Sequence, residues 1–393
     1  NMIDVRAHLA RKPLLFDGGM GTYYKAKPGT ECEQGNLLDP AGVRKVHREY
    51  LAAGAEAIKT NTFGLPRMAA ARQPDWQALA RAGWKLAAEA AGETGAAVFA
   101  DLGPAPDTEA APAGSIYTAV ARCFVEQGAR NFLFETLSSD AGVLEAVQAV
   151  KAQVPDAFVL VSFAVLPDGY TREGMYSKDL VRRMTESGIV DAVGFNCVSA
   201  PGAMRTLVQQ LGSTALPLSV MPNAGYPVVT RTQVKYQGKP EYFAKELARI
   251  AAEGVRILGG CCGTTPAHIA ALRAALDSLP AVEKAAPAVQ VSTPEAPTVE
   301  KDDAFLRKLN AGKKVIAIEL DSPKDADLTN YLAGAKRLQA AGADLLTIAD
   351  CPIARARMDS SLVACRVHRE LGLNVLPHMT CRDRNLNATK ALL

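Results

Sequence analysis

The sequence predicts an α/β fold: a (β/α)8 TIM barrel, a linker, and part of a second (β/α)8 barrel. The first observation is that short apolar runs with strand character alternate eight times with helical segments. Such alternation produces βαβ units and a parallel sheet, and eight units over roughly 265 residues match the size of one barrel. The second observation is a proline-rich stretch after the eighth unit. The third is that the alternation resumes beyond it.

Each predicted strand of the first barrel is a short apolar run that is followed by a turn or a helix start. These strands are Leu14–Asp17, Ala57–Thr62, Ala97–Leu102, Asn131–Thr136, Phe158–Phe163, Ala192–Cys197, Pro217–Pro222 and Val255–Gly260. Helical periodicity predicts helices over Pro40–Ala53, Trp76–Ala91, Ile116–Gln127, Ala141–Ala152, Leu180–Ser187 and Pro240–Ala252. Caps or first-turn prolines mark several helix starts, and glycines mark several ends. An open doubly wound sheet is the competing fold, but residues 18–21 lack the spacing of a nucleotide-binding glycine turn.

Residues 280–303 contain four prolines and neither glycine nor an aromatic residue, which predicts an extended linker. We therefore predict domains at 1–279 and 304–393. The second is expected to contain three strands, at Val315–Leu320, Leu345–Ala349 and Val375–Thr380. Two helices, near Leu328–Ala341 and Ser360–Leu371, are expected between them. Three parallel strands cannot close a barrel, so we expect this domain to be truncated at Leu393. Its exposed sheet edge would favour a homo-oligomer.

Composition excludes several classes of protein. Lys and Arg total 44 against 41 Asp and Glu, and no basic run concentrates the net charge of +3, so we expect no nucleic-acid partner. The longest apolar stretch, at 157–166, is well short of the ~20 residues that span a bilayer. The first residues carry charges and no apolar signal segment, and eight cysteines are too few for a disulfide scaffold. We expect a cytoplasmic protein without a membrane partner.

Three cysteines carry the strongest chemical signal. Cys197 ends the sixth predicted strand, and Cys261 and Cys262 lie in the glycine-rich segment 259–266 that ends the eighth. The C-terminal strand ends of a barrel form one rim, so these thiols are predicted to converge there. Three sulfurs with an open fourth position describe a catalytic zinc site. The alternatives are buried thiols that act as small hydrophobes, which is how we interpret Cys32, Cys123 and Cys365, and a strained vicinal disulfide.

A zinc ion held by three thiolates is a poor activator of water but suits a substrate thiol as fourth ligand, which indicates transfer of a carbon group to sulfur. Asp17 and Glu135 end the first and fourth predicted strands, where two carboxylates could hold an ammonium group. The N–H groups of Gly18 and Gly19 could bind a carboxylate. Singly, such acids are often loop caps. Residues 59–63 and 221–225 complete the pocket or serve as turns.

These residues resemble the homocysteine-binding domain of homocysteine S-methyltransferases over about Leu14 to Leu276. The resemblance rests on the strings DGGMGT, TNTF, FET, GFNC and GGCCGTTP. It implies zinc bound by Cys197, Cys261 and Cys262, with the homocysteine sulfur as fourth ligand. It also implies that Asp17, Gly18 and Glu135 position the amino acid, and we assign Asn196 of GFNC to the same substrate-binding set.

The second part resembles the start of methylenetetrahydrofolate reductase, a flavin-bearing (β/α)8 barrel. The matching strings are AIELDSPK at 317–324, LTIAD at 346–350 and PHMTCRD at 377–383. The resemblance implies that Glu319 is the acid toward folate, that Asp383 contacts the folate ring and that Thr347 contacts flavin. An acid at position 319 also suits ring opening, which requires a proton, although a solvent-facing glutamate fits the spacing equally well. FAD is expected only for a complete reductase domain, so we predict no reductase activity for this chain.

The first hypothesis is a zinc-dependent homocysteine S-methyltransferase that makes methionine. The methyl donor remains open among methyltetrahydrofolate-, corrinoid-, sulfonium- and betaine-type molecules, and the reductase-like region favours a one-carbon source by analogy. The second hypothesis is a non-catalytic module in which zinc stabilises the barrel and the chain binds a thiol metabolite. The two differ in whether homocysteine changes the ligand set of the metal.

Overall fold

The structure is a computed structural model that describes residues 2–225, 227–229, 234–236, 238–279, 304–381, 384 and 388–389. The chain forms two compact units, Asn1–Thr293 and Pro294–Leu393. The predicted linker at 280–303 and the predicted folate contact Asp383 lie outside the described residues.

The first unit contains an eight-stranded parallel barrel. Its strands are β1 (Leu14–Leu15), β2 (Ala57–Lys59), β3 (Ala97–Leu102), β4 (Asn131–Leu137), β5 (Phe158–Phe163), β6 (Ala192–Asn196), β7 (Leu218–Met221) and β10 (Ile257–Leu258). They pair in the order β1-β10-β7-β6-β5-β4-β3-β2. A parallel bridge from Phe16 to Ala57 joins the two ends of this order. The predicted barrel is confirmed.

Helices surround the barrel and connect its strands. They are α1 (Val5–Leu9), α2 (Met20–Tyr23), α3 (Gly35–Leu38), α4 (Pro40–Ala52), α5 (Leu65–Ala70), α6 (Trp76–Gly92), α7 (Ala113–Glu126), α8 (Val143–Gln153), α9 (Ser177–Glu186), α10 (Pro201–Leu211), α11 (Pro240–Ala252) and α12 (Pro266–Asp277). The Asp39 carboxylate accepts from Gly42 N and begins α4 as its N-cap, followed by proline at the first helical position. α8 begins two residues later than predicted, because Gly142 has a φ of +71° and cannot continue a helix.

The strands are apolar because they are covered on both faces, as is typical of parallel sheets. Strands β3 and β5 are buried at every position. Inside the barrel, Phe16 and Phe99 pack with ring centroids 4.7 Å apart. A larger apolar layer lies between the strands and the helices. This packing fixes the C-terminal strand ends, from which the polar residues described below project.

The observed β2 is shorter than the predicted Ala57–Thr62, for a local physical reason. The hydroxyls of Thr60 and Thr62 share a 2.6 Å hydrogen bond, and the Thr62 hydroxyl donates to the carbonyl oxygen of Asp101 at 2.8 Å. Thr60 N still donates to Phe99 O at 3.0 Å, and beyond that bond the threonine side chains replace the ladder. An antiparallel hairpin of β8 (Pro227–Val229) and β9 (Val234–Tyr236), which the sequence did not predict, follows β7.

The second unit has a three-stranded parallel sheet in the order β11-β12-β13. Its elements are α13 (Ala304–Asn310), β11 (Ala317–Glu319), α14 (Thr329–Ala340), β12 (Leu345–Ile348), α15 (Ser360–Leu371) and β13 (Asn374–Pro377). Leu346 and Ile348 of β12 pack against Val363 and Val367 of α15. In neither unit do the described residues include a helix long and apolar enough to cross a membrane.

Candidate metal centre and adjoining cavity

The three cysteines singled out by the sequence meet at the C-terminal rim of the barrel. Cys197 follows β6, and Cys261 and Cys262 follow β10. Their three sulfur atoms lie within 4.8 Å of one another, with the Sγ atoms of Cys197 and Cys262 3.8 Å apart. All three are free thiols and partly buried. Three convergent sulfurs are a donor set that suits zinc, because thiolates are its preferred soft ligands.

Backbone hydrogen bonds hold the cysteines in place. The N–H of Cys197 donates to Met221 O at 3.1 Å, and that of Cys261 donates to Pro222 O at 2.8 Å. The N–H of Cys262 donates to the side-chain oxygen of Asn223 at 3.1 Å. Segment 221–225 therefore supplies the acceptors that fix the backbone of all three cysteines. Cys197 has a φ of +58°, a strained conformation for a non-glycine residue that is typical of functional sites.

Glycines allow the cysteine turn to approach its neighbours closely. A Cβ at Gly260 would lie 2.4 Å from the Thr264 hydroxyl, and one at Gly19 would lie 2.6 Å from Cys261 O. Thr264 is buried, and its hydroxyl donates to Cys261 O at 2.6 Å and accepts from Gly19 N at 2.9 Å. The loop after β1 is thus joined to the loop after β10. It follows that the Gly19 N–H is already satisfied, and the structure does not support the expected carboxylate contact there.

Asn196 connects the cysteine cluster to a buried carboxylate. Its amide nitrogen donates to Glu135 Oε2 at 2.8 Å and lies 3.8 Å from Cys261 Sγ. Its oxygen accepts from the Ser162 hydroxyl and from Thr136 N, both at 2.8 Å. With both ends of its amide engaged, Asn196 fixes the orientation of Glu135.

A cavity of about 280 Å³ opens beside the sulfur atoms. Its lining includes the three cysteines, Gly18, Glu135 and the whole segment 59–63. Asp17 and Asn196 do not line the cavity themselves, but each contacts a residue that does: Asp17 contacts Lys59, and Asn196 contacts Glu135. Gly18 is required where it stands, since a Cβ there would lie 2.6 Å from the Thr264 hydroxyl.

Asp17 is paired within the protein. Its carboxylate lies 3.3 Å from Lys59 Nζ and accepts from Lys59 N at 3.0 Å. Lys59 Nζ also donates to Gly260 O at 3.3 Å. Burial alone would lower the pKa of Lys59, but the surrounding acids, led by Asp17 and Glu135, raise it above its usual value. Lys59 is therefore charged, and it compensates Asp17.

Sequence reasoning missed Asp101, one of the three carboxyl groups that line the cavity, with Glu33 and Glu135. It stands near the end of the otherwise apolar β3, is 3% exposed and lines the cavity. Burial and the neighbouring Glu135 raise its pKa well above the usual range, and burial likewise raises the pKa of Glu135. An acid at the C-terminal end of an apolar strand was the signal available.

The other cysteines differ from the expectation of burial in two cases. Cys123 is buried as expected, but Cys365 is exposed. Cys32 is half-buried, lines the cavity, and donates from Sγ to the side-chain oxygen of Asn61 at 3.1 Å. Burial raises the pKa of Cys32 to about 12, so it stays a neutral thiol.

In the second unit, Glu319 and Thr347 are paired neighbours across β11 and β12. Glu319 is exposed and Thr347 is half-buried. The structure thus brings these two predicted residues together on the sheet, while their roles stay predictions.

The fold and this site define the class of protein: a (β/α)8 barrel with three thiols and buried carboxylates around a cavity at its C-terminal rim. The family model for homocysteine S-methyltransferase matches residues 14–276, and that for methylenetetrahydrofolate reductase matches residues 304–393. The chain belongs to the homocysteine S-methyltransferase family and carries a methylenetetrahydrofolate reductase-like region after it.

Curated relatives include a methionine synthase of Mycobacterium tuberculosis, 32% identical over 72% of this chain and 26% of the relative. A homocysteine S-methyltransferase of Escherichia coli is 29% identical over 66% of this chain and 94% of the relative. The chain thus spans about a quarter of the length of the methionine synthases it matches.

Solved structures of an Escherichia coli homocysteine methyltransferase share the barrel. The metallated form aligns with a TM-score of 0.55 at 24% identity, over 67% of this chain and 96% of the other. The apo form aligns with a TM-score of 0.52 at 27% identity, over 67% of this chain and 96% of the other.

Proposed function

We propose that the first unit transfers a methyl group to the thiol of L-homocysteine and forms L-methionine, with a zinc ion held by Cys197, Cys261 and Cys262. The observation that carries the proposal is the meeting of three sulfurs within 4.8 Å at the edge of a cavity, in a chain of this family. The donor set leaves room for a substrate sulfur as fourth ligand.

When bound, zinc would lower the pKa of a substrate thiol and keep its sulfur nucleophilic at neutral pH. The reaction forms a bond between that sulfur and the methyl carbon. The bond from the methyl group to the donor breaks, and its electron pair leaves with the donor. The thiol proton is lost to solvent when the substrate binds.

The protein's own residues orient the substrate. The Asn196 amide holds Glu135 by a 2.8 Å hydrogen bond, so that the carboxylate faces a cavity bordered by the cysteines. Gly18 leaves the wall beside Thr264 free of a side chain. Fixing the amino acid relative to its sulfur lowers the entropic cost of in-line attack on the methyl group. Gly18 and Glu135 are the predicted contacts that line this cavity.

For the donor, we infer a methyl group from one-carbon metabolism. The support is the reductase-model match at residues 304–393 of the same chain. Corrinoid, sulfonium and betaine donors are the alternatives to assay. Purified protein loaded with zinc, supplied with homocysteine and each donor in turn, would give methionine with the true donor.

The test of the zinc site is Cys261→Ser in the full chain, with Cys365→Ser as matched control, because Cys365 is an exposed cysteine of the second unit. We expect Cys261→Ser to lose about tenfold or more in zinc affinity and in methionine formation, since disturbing even an outer partner of a metal costs that much. The control should match wild type. Full zinc occupancy and full turnover in Cys261→Ser would contradict the proposal.

X-ray absorption separates the enzyme from the binding module. Three sulfur ligands that become four on addition of homocysteine support the enzyme. Four protein ligands before addition, unchanged by homocysteine, indicate a structural zinc and the non-catalytic module.

A further inference from the structure

Asp101 has an unused acceptor at the wall of the cavity. Its carboxyl group is 3% exposed, and its Oδ1 atom is buried without a hydrogen-bond partner among the described residues. Buried carboxylate oxygens are normally hydrogen-bonded, because leaving one unpaired costs free energy. An unpaired oxygen beside a cavity therefore indicates a group that arrives with a ligand.

The backbone of Asp101 is fixed on both sides. Its N–H donates to the Thr60 hydroxyl at 2.9 Å, and its carbonyl oxygen accepts from the Thr62 hydroxyl at 2.8 Å. These threonines belong to the segment that follows β2. The side chain is thus presented from a rigid strand end, which is the arrangement that positions a ligand accurately.

The other acids around the cavity already have partners. Glu33 Oε1 accepts from Gly64 N at 2.6 Å. Asp17 is paired with Lys59, and Glu135 Oε2 accepts from Asn196. Among the described residues that line the cavity, Lys59 is the one side chain with a positive charge. Among the described residues in and beside the lining, Asp17, Asp101 and Glu135 therefore share Lys59 as their cation, which leaves the carboxyl groups in excess.

We propose that Asp101 is a positioning residue that, together with Glu135, receives the α-ammonium group of the thiol substrate. The proposal rests on the proposed function and adds to it the group that selects amino-acid thiols over thiols that lack an amino group. An ammonium supplies N–H donors for the unpaired Oδ1 and a positive charge in addition to that of Lys59.

The raised pKa of Asp101 agrees with this assignment. Burial and the neighbouring Glu135 raise the pKa of Asp101 well above its usual range, because a second buried negative charge beside Glu135 is unfavourable. The positive charge of an ammonium group would offset that cost.

The test compares two thiols that differ only in the amino group: homocysteine and 4-mercaptobutanoate. Calorimetric titration of the zinc-loaded full chain measures the affinity of wild type and of Asp101→Asn for each. Asparagine keeps the size and can still donate to Glu135. We expect Asp101→Asn to bind homocysteine about 10- to 100-fold more weakly, the loss typical of one charged hydrogen bond, and to bind 4-mercaptobutanoate as wild type does.

Asp191→Asn is the matched control, because Asp191 is a partly buried carboxylate just before β6, at the opposite end of the strand from Cys197. It should leave both affinities unchanged. Asp101→Glu, which restores the charge, should recover part of the homocysteine affinity.

Two results would overturn the assignment while the proposed function stands: equal weakening of both thiols, or no weakening of either. Wild-type protein that binds 4-mercaptobutanoate but not homocysteine would overturn both. Thermal unfolding of each variant identifies a folding defect. If Asp101→Asn has one, the ratio of homocysteine affinity to 4-mercaptobutanoate affinity in Asp101→Glu decides, and a ratio equal to that of wild type would count against the assignment.

Discussion

The ion pair of Lys59 and Asp17 beneath the cavity gives a quantitative test of the electrostatics. The two side chains are 6% and 2% exposed, with Nζ and Oδ1 3.3 Å apart. At an effective dielectric constant of about 20, two charges at this distance attract by about 5 kcal/mol. Most of that energy offsets the cost of burial. Removing one partner nevertheless leaves a buried charge uncompensated, which typically costs about 3–5 kcal/mol.

We expect Lys59→Met to lower the free energy of unfolding by about 4 kcal/mol, because it removes the cation from three acids. Asp17→Asn should cost about 2 kcal/mol, since Glu135 and Asp101 still compensate Lys59. The double variant should also lose about 4 kcal/mol rather than the additive value of about 6, which gives a coupling energy of about 2 kcal/mol.

Urea unfolding followed by tryptophan fluorescence is the assay. The chain has two tryptophans, and both Trp76 and Trp84 lie on α6, so the signal reports the first unit alone. A double variant destabilised by the sum of the single values, within about 0.5 kcal/mol, would show that the two residues do not interact and would refute the reasoning.

Three further predictions concern the same unit. His47 is fully buried, and burial lowers its pKa to about 4, so protonation favours the unfolded chain. The free energy of unfolding should therefore fall by about 3 kcal/mol between pH 6.5 and pH 4. Urea titrations at several pH values should show this fall in the wild type and a flatter profile in His47→Leu. Tyr50→Phe should cost about 1–2 kcal/mol, because its buried hydroxyl lies 3.0 Å from Gly19 O and from Thr264 O; an unchanged Tm would contradict this. Gly260→Ala should cost about 1–3 kcal/mol and weaken zinc binding in a chelator competition, as its Cβ would meet Thr264 at 2.4 Å, and wild-type affinity would show that the turn adapts.

The barrel was predictable because each of its βα units carries a local signal. Apolar runs such as Phe158–Phe163 matched the observed strand, and α15 at Ser360–Leu371 matched its capping and periodicity. Where hydrogen bonds between distant side chains decide the boundary, prediction failed. The end of β2 depends on Thr62 reaching Asp101, two residues far apart in sequence.

The candidate site was predictable to the same extent. The cysteines carry a signal of their own, since a thiol pair between glycines at a strand end has few structural explanations. Asp17 forms an ion pair because the side chain of Lys59 lies against it. The pKa of Asp101 is raised partly because Glu135, from the next strand, lies close to it. Such relations arise only when the strands assemble, so single-residue patterns do not contain them.

The placement of the three sulfurs also bears on how the protein matures. Cys197 and the Cys261–Cys262 pair follow β6 and β10, with β7 between them, and the hydrogen bond from Gly19 to Thr264 links the first loop of the barrel to the last. A nascent chain that has not reached residue 262 has no complete ligand set. Binding of the proposed zinc ion would therefore be coupled to the final step of assembly, and the bound ion would stabilise only the fully formed barrel.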